Sequence, residues 1–272
     1  ISRITSMTAG QSSPQPPYSF GILRESRPAV IEVIREIAKA DGSLGHVFGY
    51  HFACESMIEL FGSVEQNERL YRQMAQHNWR AGNASSENNS HVLDWKVSAT
   101  PTEDGGYLLN GTKHFCSGAT DSDLLIVFGV IQTESAHKGA IIAAAIPTKR
   151  EGVQINNDWN AIGMRRTDSG STEFRNVKVE PEDVLGVPNA FVQAFVGSTR
   201  GSLWTPAAQL VFSNVYLGIA HGALEAAREY TRTQSRPWTP AGIAKATEDP
   251  YIIGAYGKFA IALQGADAAA RE

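Results

Sequence analysis

The chain of 272 residues is long enough for one large domain or a few packed subdomains, and with 42% apolar and 19% charged residues it is no disordered tail or charge-driven scaffold. Its 24 basic and 28 acidic residues leave a net charge of -4, which gives no electrostatic footprint for nucleic acid. The apolar runs are strand-sized, far short of the ~18 residues of a membrane span, and Cys54 and Cys116 have neither disulfide nor zinc spacing, so a folded protein of a reducing cytoplasm is expected.

Residues 1–28 hold the cluster Ser12-Ser-Pro-Gln-Pro-Pro17 and no periodicity, and are expected to be poorly ordered. The chain opens on Ile1 and closes inside a helical pattern, so a fragment is expected, with Leu263 and its neighbours exposed. Asn83, Asn88 and Asn110 stand in Asn-x-Ser/Thr triplets, but no export signal accompanies them and glycosylation is not expected. From Pro28 the apolar spacing of Val30, Ile34, Ile37 and Ala38 predicts a helix that stops at Asp41-Gly42. A second helix is predicted over Ser43 to Phe61, ending at Gly62, and Ser63 with Gln66 forms a capping box for a third that carries Leu70, Tyr71 and Met74.

Past Gly82 the periodicity shortens. Strands are predicted over Val92 to Thr100, Tyr107 to Lys113, Leu124 to Val130, Ala140 to Ile146 and Thr172 to Val179, with a turn at Asp104-Gly-Gly106, as an antiparallel domain. Helical spacing returns from Asn189 through Leu224, and again over Tyr256 to Arg271 beyond a proline-marked loop.

The motifs of nicotinamide binding, triphosphate binding, elbow esterases and zincins are all missing, and none of the seven histidines pairs with another at i, i+4, so no metal site is expected. Three polar stretches invite a functional reading. The run from Gly82 to His91 is dense in short hydrogen-bonding side chains; Gly111 to Gly118 ends a strand pattern on Ser117-Gly118; and Ala161 to Thr172 holds Arg-Arg-Thr-Asp-Ser before a strand. Each also reads as an ordinary turn rich in Asx and hydroxyl bonds.

In order and spacing, these stretches resemble the acyl-CoA dehydrogenase superfamily over roughly Pro28 to Glu272. The runs Ala40 to His46, Gly82 to Lys96, Asn110 to Gly118 and Ile219 to Ala223, with Ser86-Glu-Asn and Phe115-Cys-Ser in place of the dehydrogenase motifs, resemble its flavin-dependent monooxygenase branch. The resemblance implies an α+β fold of three parts: an N-terminal helical domain over 29–80, a central antiparallel β barrel-like domain over 81–188 and a C-terminal helical bundle over 189–272, with residues 1–28 unmatched. It implies a homotetramer with FMN between the last two domains, supplied in reduced form by a separate NADH-dependent flavin reductase. It also implies oxidation of an aromatic sulfur heterocycle, dibenzothiophene, at sulfur to the sulfoxide and sulfone.

Residue by residue, the resemblance implies that Asn83 and Ser117 are the polar groups on the oxygen-reacting side of the flavin, where an amide and a hydroxyl can donate to developing negative charge. It implies that Trp159 and Ser169 contact the flavin, that Arg236 reaches its phosphate from a neighbouring subunit, and that His46, Tyr50 and Phe115 line the substrate pocket. His46 and Tyr50 lie four apart on one helix face, where a satisfied core pair is the plainer reading; Trp159, Phe115 and Arg236 also read as a partly buried tryptophan, a core aromatic and a solvated loop arginine. The family's further N-terminal helix and its late flavin-facing histidine have no counterpart in these residues, so the chain alone is expected to be inactive. An acyl-CoA dehydrogenase using FAD, and a non-catalytic scaffold fragment of the same fold, are the alternative readings.

Overall fold

The computed structural model describes residues 27–271 apart from 92–93, 135–136, 198, 238–239 and 241; the segment expected to be poorly ordered, up to residue 26, lies outside them. Helix α1 (Arg27–Ala40) leads directly into α2 (Gly42–Phe61). The stop at Asp41 is also a start, because its carboxylate accepts the N–H groups of Ser43 and Leu44 and takes Gly42 into the next helix. Helix α3 (Val64–His77) carries the expected capping box, Ser63 accepting from the Gln66 N–H while the Gln66 side chain accepts from the Ser63 N–H, and ends on Asn78 in the left-handed conformation.

Among the described residues seven strands follow: β1 (Ala81–Ala84), β2 (Ser98–Pro101), β3 (Tyr107–Lys113), β4 (Leu124–Ile131), β5 (Ile141–Pro147), β6 (Val153–Ile155) and β7 (Thr172–Val179). They form one sheet in the order β1-β4-β2-β3-β7-β6, with β5 on β4. Most pairings are antiparallel, as expected for this region, but β1 and β2 both run parallel to β4. Two differences from the sequence expectation stand out. Gly82 to Ala84, read as the start of a polar loop, belongs to strand β1, and of the run predicted over Val92 to Thr100, residues 92–93 lie outside the described residues, 94–97 are not strand, and β2 begins at Ser98. Just before β2, the Glu87 carboxylate accepts the N–H groups of Lys96 and Val97, so a side chain satisfies these donors while the Val97 carbonyl accepts from Val130 of β4.

The central strand β4 explains its own uninterrupted apolar sequence. Leu124, Ile126 and Phe128 pack against Met57, Ile58 and Phe61 of α2 and Leu70 and Tyr71 of α3, while Leu125, Val127 and Ile131 pack against Leu109, Phe174 and Val177 on the opposite face. A strand buried on both faces loses the polar alternation of a half-exposed one.

Helix α4 (Ala190–Gly197) and the 35-residue α5 (Thr199–Thr233) return the chain to the N-terminal helices. Val30, Ile34 and Ala38 of α1 meet Ala208, Val211 and Val215 of α5, and at Gly218 and Gly222 the helices approach so closely that a Cβ would stand 2.3 Å from the Arg35 carbonyl oxygen and 2.1 Å from that of Lys39. Helix α6 begins at Pro250, six residues earlier than the apolar spacing suggested, because Asp249 caps it by accepting the Tyr251 and Ile252 N–H groups. It leaves Phe259 and Ile261 exposed, whereas Leu263, expected to be exposed, is half-buried in an apolar groove of about 1120 Å³ between α5 and α6.

Candidate active site

Three backbone segments converge beside the middle of α2. The Asn83 N–H of β1 bonds the Ser117 carbonyl, the His114 N–H bonds that of Ser86, and Cys116 and Gly118 donate to Gly170 and Thr167. These bonds interleave the segments around residues 83–86, 114–118 and 167–170, and so bring together hydroxyls from all parts of the sheet region. The candidate hydroxyl of Ser117 stands beyond the end of β3, which stops at Lys113, on a tight turn whose Phe115 has a positive φ of 56°. A bulky residue in that conformation is strained and persists only where its surroundings over-determine it.

Asn83, Ser117, Ser169 and Thr167 are all buried. Asn83 Nδ2 donates to the Phe115 carbonyl at 3.4 Å and its Oδ1 accepts from Ser85 at 2.6 Å. Ser117 Oγ lies 2.7 Å from Ser169 Oγ, which lies 2.7 Å from Thr167 Oγ1, and Ser117 Oγ is 3.5 Å from His46 Nε2. His46 and Tyr50 share a face of α2 with ring centroids 5.0 Å apart, and Phe212 of α5 completes a three-ring cluster at 5.2 Å and 5.1 Å. Burial pushes the His46 pKa down and that of Tyr50 up, which keeps the imidazole and the phenol neutral at pH 7. Trp159 donates from Nε1 to the Met164 carbonyl at 2.9 Å and meets Phe115 edge to face at 6.4 Å; Phe115 is 52% exposed and therefore no core residue.

The geometry thus gathers Asn83, Ser117, Ser169, His46, Tyr50, Phe115 and Trp159 around one corner of the molecule. Arg236 is not among them: it is exposed beyond the end of α5, and no hydrogen bond joins it to the cluster. Sequence reasoning missed Ser85, Thr167 and Phe212. The first two stand inside polar stretches already singled out, but Phe212 is one apolar residue of a long helix and only its tertiary contact with His46 marks it. Behind the site, Lys113 Nζ is buried 2.7 Å from Glu87 Oε1 and 4.4 Å from the Trp95 ring centroid; burial pushes its pKa down to about 8, against the opposing pull of Glu87. Among the described residues no cluster of His, Cys, Asp or Glu could hold a metal ion.

Residues 84–177 match the family described as acyl-CoA dehydrogenase, middle domain. Over 256 residues the chain is 73% identical to a dibenzothiophene monooxygenase of Rhodococcus qingshengii, covering 94% of this chain and 61% of that protein. The chain carries an acyl-CoA dehydrogenase middle domain and has the acyl-CoA dehydrogenase-like fold. It is 39% identical over 248 residues to a probable FMNH2-dependent monooxygenase, SfnC, of Pseudomonas putida, covering 91% of this chain and 59% of that protein. The superfamily fold is shared with the FMN-bound structure of TdsC from Paenibacillus sp. A11-2, at 55% identity and a TM-score of 0.86 over 90% of this chain and 61% of that one. The chain spans about 61% of the length of the Rhodococcus relative.

Proposed function

We propose that the chain is the larger part of a two-component flavin monooxygenase that takes reduced FMN from a separate NADH-dependent flavin reductase and oxidises dibenzothiophene at sulfur to the sulfoxide and sulfone. The observation that carries this reading is the 73% identity over 94% of the chain to a dibenzothiophene monooxygenase. The acyl-CoA dehydrogenase alternative rests on much weaker likeness, 27% to an isovaleryl-CoA dehydrogenase of Arabidopsis thaliana.

The donor set fits a flavin ring. Asn83, Ser117, Ser169 and His46 present an amide, hydroxyls and an imidazole, all neutral, with the aromatic faces of Trp159 and Phe115 beside them, and among the described residues no carboxylate bonds to them. Reduced FMN, when bound, supplies the electrons that activate dioxygen for transfer of one oxygen atom to sulfur. The chain's own residues bind, orient and exclude water: Asn83 keeps one amide hydrogen beyond its bond to Phe115 and offers it to developing negative charge, and the rings of His46, Tyr50 and Phe212 make a half-buried apolar wall suited to a flat heterocycle. Trp159 and Ser169 are assigned to the ring, and Arg236, being exposed and free of this cluster, to the flavin phosphate of a neighbouring subunit in a homotetramer. The domain limits at 29–80, 81–188 and 189–272 and a cytoplasmic setting belong to the same proposal.

The test is to supply the protein at the full length of its relatives with photoreduced FMN, oxygen and dibenzothiophene and to follow sulfoxide and sulfone by chromatography. Product in that order supports the reading. Oxidation of an acyl-CoA thioester with FAD, and no sulfoxide, would overturn it.

A further inference from the structure

Hydrogen counting along the buried hydroxyls gives the site a direction. The contacts run in series: Thr167 Oγ1 to the Met164 carbonyl at 2.9 Å, Thr167 Oγ1 to Ser169 Oγ at 2.7 Å, Ser169 Oγ to Ser117 Oγ at 2.7 Å, and Ser117 Oγ to His46 Nε2 at 3.5 Å. Each of the contacts at 2.7 to 2.9 Å needs one hydrogen between its heavy atoms, since two lone pairs facing each other at these distances repel. A hydroxyl has one hydrogen to give, and a carbonyl has none. The Met164 end can therefore only accept. Thr167 gives its hydrogen to Met164, Ser169 must give its own to Thr167 and Ser117 must give its own to Ser169, so Ser117 faces His46 Nε2 at 3.5 Å with lone pairs only, a contact that an Nε2–H completes. Reversing any link leaves the carbonyl contact without a hydrogen.

We infer that Thr167, anchored on the Met164 carbonyl, is a positioning residue that orients the Ser117 hydroxyl through Ser169, committing the Ser117 hydrogen inward and holding His46 as the neutral Nε2–H tautomer. The same carbonyl accepts the Trp159 indole N–H at 2.9 Å, so the aromatic beside the site and the hydroxyl chain share one anchor. Met164 holds that carbonyl in place with its own backbone at φ 51°, ahead of the short 3₁₀ turn Arg165–Thr167. Ser117 thus acts as an acceptor toward His46 rather than as the free donor that the sequence suggested, and Asn83 Nδ2 is left as the site's uncommitted neutral donor among the residues assigned to it. As a statement about oxygenation this rests on the monooxygenase reading; as a statement about the hydrogen network it does not.

The experiment is ¹⁵N NMR of histidine-labelled full chain without flavin, with the His46 signals assigned by a His46→Gln variant. In the wild type the expected pattern is a protonated Nε2 and an unprotonated Nδ1 at pH 7. Thr167→Val keeps the volume but removes the anchor, so the Ser169 hydrogen is released, the chain loses its single direction, and the His46 signals move toward the other tautomer or an average of the two. Thr167→Ser, which keeps the hydroxyl, restores the wild-type pattern, and this rescue separates orientation from packing. In the same variants, turnover with reduced FMN is expected to fall about 10²-fold in Thr167→Val and to recover in Thr167→Ser, with FMN affinity little changed. A wild-type His46 protonated on Nδ1, or Thr167→Val spectra that match the wild type, would overturn the inference. If no variant and no wild type oxidises dibenzothiophene while the NMR pattern holds, it is the monooxygenase reading that fails.

Discussion

The wall that carries Asn83, Ser117 and Ser169 and the pair formed by α5 and α6 are built on opposite principles. In the wall, backbone and side-chain bonds cross between segments far apart in the chain, from Ser86 to His114 and from Ser117 to Ser169, and the polar side chains of Asn83, Ser117 and Ser169 are buried. Along α6, by contrast, alanines and a few large apolar residues face an open groove, and among the described residues side-chain bonds tie the helix down near its two ends, where the Tyr256 hydroxyl lies 2.7 Å from Thr231 Oγ1 and where Asp267 accepts from His221 at 2.9 Å and from Arg35 at 3.4 Å. The difference teaches where specificity resides. A buried polar network admits one arrangement, because every unmade bond costs the full desolvation of its group, whereas apolar surface is tolerant of what covers it.

The sharpest way to break this comparison is within the wall. Asn83→Ala, made in the full chain, is expected to lower oxygenation by ~10² to 10³ by removing a donor, and Ser117→Ala by ~10² by breaking the hydroxyl chain beside His46, each at a cost of ~1 to 3 kcal/mol in stability for the buried partners left unpaired. Wild-type turnover of both at saturating reduced FMN would remove the wall from the chemistry. Next comes Arg236→Ala, expected to weaken FMN binding by ~1.5 to 3 kcal/mol with no effect on folding; a fluorescence titration that returns the wild-type affinity in an intact assembly refutes the assignment.

On the helical side the largest effect belongs to the face of α5 that is closed rather than to the open one. Gly222→Ala places a methyl 2.1 Å from the Lys39 carbonyl oxygen, so the two helices must move apart. Overpacking of this kind costs ~1 to 3 kcal/mol, which calorimetry would register as a lowered melting temperature. An unchanged value would show that α1 and α5 are less closely packed than the Gly218 and Gly222 contacts imply.

Glu55 offers a pH-dependent test between the two regions. Burial, and then the neighbouring Glu59, push its carboxyl pKa from 4.5 up to about 8. A group whose pKa is raised by folding contributes stability below its ordinary pKa and loses it as pH rises to the folded value, so stability is expected to decline between pH 5 and pH 8. Glu55→Gln should flatten that decline, and melting curves at three pH values across the window would reveal parallel slopes if the carboxyl were not responsible. The smallest effect is expected at Ile261, 73% exposed on α6, where Ile261→Lys should change the stability of this chain by no more than ~0.5 kcal/mol; urea unfolding would expose any larger contribution.

Much of the fold was legible because its signals are local. The spacing of Val30, Ile34 and Ala38, the Ser63–Gln66 capping box and the patterns of β3 and β7 act over a few residues, and the boundaries they imply coincide closely with α1, α3, β3 and β7. The start of α6 was misread because its cap, Asp249 with Pro250, lies before the first apolar-periodic residue rather than at it. At the site, the i, i+4 relation of His46 and Tyr50 and the polar runs could be read directly, and the family resemblance supplied the individual positions.

What the tertiary structure alone decided is how those runs meet. Nothing local distinguishes the Asn83 of a polar loop from the Asn83 of a buried strand; β1 exists because its backbone pairs with Leu124 to Val127, some forty residues away. Nothing local marks Phe212 either, since it is defined by a ring contact to His46 across two helices, and Thr167, local to Ser169, gains its place in the site only where Ser169 meets Ser117. The sequence by itself determined the elements, because helix caps and apolar periods are short-range preferences of the backbone. The folded molecule determined the parallel pairings, the strained turn at Phe115 and the direction of the hydroxyl chain, because hydrogen bonds between distant segments take their partners from the space the whole core leaves them.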